Sequence, residues 1–114
     1  MIVLLATLTV HPDRVDVFHD FERRAAKIMA KHGGRIERAI VLDQDPEDHY
    51  YRECHVVSFP DRAALAAYRD DADFKALASL RESCILATAI RYGTAGEDYH
   101  GSSELRDQNS ETRA

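Results

Sequence analysis

Two segments of this chain, residues 2–10 (IVLLATLTV) and 84–92 (CILATAIRY), are largely apolar on both faces that a β-strand presents. Successive strand side chains point to opposite sides. In the first segment Ile2, Leu4, Ala6 and Leu8 point one way, and Val3, Leu5 and Thr7 the other. In the second, Ile85, Ala87 and Ala89 oppose Leu86, Thr88 and Ile90. Strands of this kind need cover on both sides, which argues against a sheet with one face in water. The start of the chain is only ten apolar residues long before HPDR, too short for a membrane helix, and it lacks the charged leader and cleavage site of a signal peptide.

The stretch between these segments supplies one cover. His11-Pro12-Asp13 marks a boundary, with proline suited to the first turn of a helix. Val15, Phe18, Phe21, Ala25 and Ile28 then recur at helical spacing, with Asp16, Asp20, Arg23, Lys27 and Lys31 opposite. Asp20 and Arg24 can pair at i, i+4. Lys31 and His32 suit the negative end of the helix, and Gly33-Gly34 stops it. Residues 35–43 (RIERAIVLD) form a second strand, DQDPEDHYY a polar connection, and 52–60 (RECHVVSFP) a third strand. Asp61 caps a helix over DRAALAAYRD. A break near Asp70-Asp71 leads into a further helical stretch, DFKALASLRES, before the last strand. The order β-α-β-β-α-β is the ferredoxin-like pattern, an α+β fold whose four-stranded antiparallel sheet carries two helices on one face. Residues 1–93 make this domain. Residues 94–114 hold one aliphatic side chain beyond alanine, Leu105, and read as a polar, flexible tail.

Helices on one side leave the other sheet face uncovered. Roughly eight side chains there, at about 1.5 kcal/mol or more each, give on the order of 10 kcal/mol. That is comparable with the ~4–15 kcal/mol cost of association, so a homodimer through the open face is expected. Five acids against two arginines in the tail carry more than half of the net charge of −5, leaving the body near neutral. No basic face exists to attract nucleic acid or anionic lipid. Cys54 and Cys84 are thirty residues apart with no C-x-x-C; with no export signal they are expected to be reduced thiols in a cytoplasm.

Glu53, Cys54 and His55 stand side by side in the third strand, but alternation separates them. Glu53, His55, Val57 and Phe59 share one face, and Cys54, Val56 and Ser58 the other. A Cys–His couple is therefore ruled out within this strand, and Cys54 reads as a small buried apolar residue. Glu53 and His55 are neighbours, about 7 Å apart at Cα by strand rise. A carboxylate beside an imidazole orients it, the usual arrangement for a general base. The alternative is a satisfied structural pair. Arg81, beside the apolar stripe of the last helical stretch, needs a carboxylate, a carbonyl or an anionic ligand. Tyr68, three residues after Leu65, reads as core with its hydroxyl at the rim, able to donate to a substrate oxygen.

Asp43, Asp45 and Glu47 suggest calcium, but an EF-hand needs Gly and Glu where Asp48 and Cys54 stand. None of the six histidines forms H-E-x-x-H or a zinc spacing; His19 faces away from the apolar stripe. No metal or cofactor is expected, since P-loop, G-x-G-x-x-G and G-x-S-x-G signals are all lacking.

Gly33-Gly34-Arg35, Val57-Ser58-Phe59-Pro60-Asp61, Ala63-Ala64, Tyr68 and Phe74-x-x-Leu77-x-x-Leu80-Arg81 together resemble the DUF1330 family over about residues 1–93. The resemblance implies a dimeric α/β barrel built from facing sheets. Departures are Ser58 where an acid is frequent, Ala67 where Trp is frequent, and Ala72-Asp73-Phe74 in place of Pro-Glu-Tyr. Related families on this fold include cofactor-free monooxygenases, lactone isomerases and haem enzymes, and fold alone does not choose among them. His55 or His19 could ligate a haem iron in principle, but nothing singles out either. Two functions follow: a small dimer binding an organic molecule, as a cofactor-independent enzyme of oxygenase or isomerase type, with His55 and Glu53 catalytic and Arg81 and Tyr68 holding substrate; or a non-catalytic binding or interaction module in which Glu53, His55 and Arg81 form a structural network.

Overall fold

The computed structural model describes residues 1–44 and 46–100. Strand β1 (Ile2–Val10) is followed by helix α1 (Val15–Lys31), β2 (Arg35–Val41), β3 (Tyr51–Phe59), the helical pieces α2 (Arg62–Asp70), α3 (Ala72–Lys75) and α4 (Ala78–Cys84), and β4 (Ile85–Thr94). The sheet is antiparallel throughout, in the order β2-β3-β1-β4. This is the expected ferredoxin-like α+β fold. The tail call falls largely on residues 101–114, outside the described residues.

The ends of the helices follow local chemistry. Pro12 lies in a turn ahead of α1 rather than in its first turn, where the Arg14 N–H donates to His11 O at 2.9 Å. At the other end, the Gly33 N–H donates to Ala30 O and the Gly34 N–H to Met29 O, the paired bonds of a Schellman stop. Gly33 has φ +76°, which glycine adopts without strain. Gly34 is needed for a different reason: a Cβ there would lie 2.3 Å from the Phe59 ring. Asp61 caps α2 through Ala64 N at 2.8 Å. The break at Asp71 is a second cap, its side chain accepting from Asp73 N–H at 2.8 Å. Asp20 accepts from Arg24 Nε at 3.0 Å.

One correction concerns β4. Val10 pairs with Ile85 but Thr9 pairs with Ala87, so Leu86 is an extra residue in a β-bulge. The bulge moves Ile85 onto the same face as Thr88 and Ile90, against strict alternation. The helix-side core forms two clusters. One joins Ile2, Leu4, Ile28, Met29, Val57, Phe59, Leu65 and Tyr68. The other joins Leu8, Val10, Phe18, Phe21, Ala25, Cys84 and Ile85.

Among the described residues, no helix covers the opposite sheet face. Its middle holds Val3, Leu5, Val56, Ile40, Ala87 and Ala89, with Arg35, Arg38 and Arg91 interspersed toward the outer strands. It is therefore apolar at its centre but less uniformly so than expected. Leu5, Ile40 and Leu86 are each 38% or more exposed in the single chain. Cys54 lies on this face and is only half-buried, not the buried residue expected, because none of the described helices covers it. No described helix is long and apolar enough to cross a membrane.

Candidate functional site

The two core clusters leave a gap between them. Leu4 and Leu8 belong to different clusters, and between them on the helix face of β1 stands Ala6. Ala6 pairs with His55 on β3 and Ile90 on β4, and His55 pairs in turn with Ala39 on β2. Two alanines flanking one histidine make this the shallowest row of the sheet. Above it lies a cavity of about 290 Å³, roofed by α1 and by α2–α4. Its walls are mostly apolar, from Leu4, Phe21, Met29, Val57, Leu65 and Phe74. Glu22, His55, Tyr68, Arg69, Arg81 and Thr88 are the polar residues lining it.

His55 is buried, and its Nε2 lies 2.8 Å from Glu53 Oε1. The strand-parity expectation for this pair therefore corresponds to a real contact. Glu53 is also buried, and its other oxygen accepts from Tyr51 OH and from His19 Nε2 at 3.2 Å. Burial alone would raise its pKa, but the hydrogen bonds from His55, Tyr51 and His19 outweigh this and hold it below the ordinary glutamate value. An ionised carboxylate only accepts, so the hydrogen between Glu53 and His55 sits on Nε2. In the neutral ring Nδ1 is then the free acceptor. Burial, together with the same carboxylate, has the Tyr51 hydroxyl pushed up to about 12.

Nδ1 of His55 lies 3.8 Å from Glu22 Oε1. That is beyond a hydrogen bond but close enough to feel its charge. Glu22 projects from α1 with its side chain 18% exposed. Burial raises its pKa, and the Glu53 charge adds to this, while His55 and Arg81 pull the other way. Arg81 donates to Thr88 Oγ1 at 2.7 Å, and no carboxylate among the described residues lies within ion-pairing distance of it. The β4 bulge is what turns Thr88 to the helix side. Tyr68 is buried, stacked 4.4 Å from Phe74 between ring centres, and burial pushes its hydroxyl above the ordinary tyrosine value. Arg69, which also lines the cavity, is pinned by donating to Tyr92 OH at 2.6 Å.

All four residues singled out from the sequence thus lie at one place: His55, Tyr68 and Arg81 line the cavity and Glu53 stands directly behind His55. Sequence reasoning missed Glu22 and misplaced His19. Glu22 follows Phe18 by four and precedes Ala25 by three, so an acid inside the apolar stripe of α1 was the available signal. His19 does not point away from the site; half-exposed at the stripe's edge, it reaches across to Glu53. Among the described residues no group of three His, Cys, Asp or Glu is arranged to hold a metal ion.

The fold and this helix-side cavity define the class: a ferredoxin-like α+β domain with a cavity between its sheet and its helices. Residues 4–91 match the model of the domain of unknown function DUF1330, and the chain belongs to that family. Solved structures share the fold. A protein from Nitrosomonas europaea described as an antibiotic biosynthesis monooxygenase is 16% identical, with a TM-score of 0.64 over 83% of this chain and 98% of that one. SnoaB, a cofactor-independent oxygenase from Streptomyces nogalater, is 20% identical, with a TM-score of 0.60 over 86% and 95%. A protein of unknown function from Rhodopseudomonas palustris is 12% identical, with a TM-score of 0.68 over 85% and 84%. At these identities the likeness is one of fold. No curated protein matches the chain.

Proposed function

We propose that this protein is a cytoplasmic homodimer that binds a small organic molecule in the cavity and moves a proton on it without a bound cofactor. The observation that carries this is the placement of an oriented imidazole, a guanidinium with no carboxylate partner among the described residues, and the mostly buried Glu22 carboxyl around one largely apolar volume. Core packing alone has no use for such a set, because each member costs free energy to desolvate. In this reading Glu53 orients His55, whose Nδ1 accepts the proton. Arg81 holds a carboxylate or enolate oxygen, and Tyr68 donates a hydrogen bond. Oxygenase and isomerase chemistry both begin with such a proton abstraction, and SnoaB is a cofactor-independent oxygenase on this fold. The open sheet face supports pairing with a second copy. The cytoplasmic setting rests on the two free thiols, Cys54 and Cys84.

A second reading has one observation in its favour. Glu53 finds all its donors within the chain, as a structural hydrogen-bond network would. In that case the protein is a binding or interaction module, and Glu53, His55 and Arg81 serve stability. Native mass spectrometry of freshly purified protein gives the assembly and any cargo retained in the cavity. His55→Ala and Arg81→Ala are then compared for thermal midpoint and for affinity toward that cargo. Loss of affinity or turnover with the midpoint kept supports the first reading. Loss of midpoint alone supports the second. Ala6→Leu, which fills the cavity floor, is expected to exclude the cargo while leaving the fold intact.

A further inference from the structure

We propose that Glu22 and His55 form a complementary acid–base pair that enolises a 2-oxo acid with an apolar or aryl body, His55 taking the proton next to the carbonyl while Glu22 donates to its oxygen. This rests on the cavity being the binding site, and it selects the isomerase type of reaction.

Three observations lead to it. The two groups come from different elements, α1 and β3, and stand side by side in the cavity wall, Glu22 Oε1 3.8 Å from His55 Nδ1. That spacing is too long for them to satisfy one another and leaves both free toward a ligand. Their surroundings also suit them to different roles. Glu22 stands beside Phe21 and Ala25, where burial favours the neutral acid. His55 is backed by the Glu53 carboxylate, which fixes its hydrogen on Nε2 and supports the imidazolium once Nδ1 is protonated. Finally, Arg81 has one side-chain partner among the described residues, the neutral Thr88, and lies close enough to Glu22 to stabilise negative charge there.

The step balances within the site. His55 Nδ1 removes one proton from the carbon beside the ketone, and that C–H electron pair becomes the C=C bond. The carbonyl π pair moves onto oxygen, which takes the Glu22 proton, giving the enol. His55 is left as imidazolium next to Glu53, and Glu22 as carboxylate next to Arg81. No oxidant or second substrate is consumed, and the reverse transfers restore the ketone. Arg81 takes the substrate carboxylate, and the hydrocarbon body lies along Met29 and Leu65. The volume of about 290 Å³ is at the small end of organic-ligand pockets, about 300–1,000 Å³.

Phenylpyruvate has each of these parts and serves as the probe. The full-length protein is incubated with it in D₂O, and loss of the methylene proton signal is followed by NMR, with binding measured separately by calorimetry. The expected result is binding, exchange above the buffer rate, and a fall of about 100-fold or more in exchange for both Glu22→Gln and His55→Gln. Glu22→Gln keeps the shape and hydrogen-bonding reach of the side chain, so its affinity should stay within about threefold of wild type. Binding without exchange, or exchange unaffected by Glu22→Gln, overturns the acid–base assignment but leaves the cavity as a binding site. Failure to bind phenylpyruvate overturns the substrate class, and the identity of any retained cargo then judges the cavity reading on its own.

Discussion

Leu5 is the most direct probe of the open sheet face. It sits on the central strand β1, pairs with Val56 on one side and Arg91 on the other, and points away from the helices. It belongs to neither helix-side core cluster, so Leu5→Ala should leave the single chain's fold largely unchanged. Leu5 is 45% exposed in one chain. Full burial of a leucine is worth about 1.5–3 kcal/mol, so covering the exposed half gains roughly 1 kcal/mol. A twofold axis counts every contact twice, so a dimer built on this face should lose about 2 kcal/mol on truncation. That is about a 30-fold rise in the dimer dissociation constant. Sedimentation equilibrium over a dilution series reads this constant directly, with the thermal midpoint as a check on the fold. A wild-type protein that is a monomer at micromolar concentration would refute the burial argument. So would a dimer whose constant moves less than threefold, since the interface would then lie elsewhere.

Other expectations concern charge and packing. Burial raises the Glu22 pKa above its ordinary 4.5, so the folded state binds that proton more tightly than the unfolded chain. Its stabilising contribution is complete below the unfolded value and is lost as pH rises through the folded one. Glu22→Gln should therefore raise the thermal midpoint at pH 7.5 and change it little at pH 4, a difference that scanning calorimetry at the two pH values can read. Asp71 goes the other way. Hydrogen bonds from His32 Nε2 at 2.8 Å and the Asp73 N–H, with Lys31 beside them, hold its carboxyl down to about 2. Asp71→Asn should lower the midpoint at pH 7, and the gap to wild type should close as pH falls from about 4 toward 2. Gly34→Ala drives a methyl into the Phe59 ring, which is 1% exposed and has nowhere to move. A cost of about 1–3 kcal/mol is expected. It should appear as a midpoint several degrees lower in a thermal melt, and an unchanged midpoint would mean the α1–β2 turn can shift.

Much of this molecule follows from local sequence rules. The amphipathic period of α1, the paired glycines at its end, Asp61 as a cap and the alternation within β3 each depend on residues within a turn or two of one another. For the same reason Glu53 and His55 could be paired from strand parity before any fold was considered. The companions of that pair are another matter. Glu22 and His19 reach the site from α1 and Arg81 from α4, and Thr88 reaches it only because the bulge at Leu86 reverses the parity of β4. No periodicity in one segment encodes those distances. The cavity is likewise a property of the assembled sheet: Ala6 is unremarkable alone, and becomes part of a floor only when cross-strand register sets it between His55 and Ile90. Sequence by itself thus determined the elements, their order and the oriented histidine. Tertiary structure decided what that histidine faces, because burial and charge at a point are set by every element packed around it rather than by its neighbours along the chain.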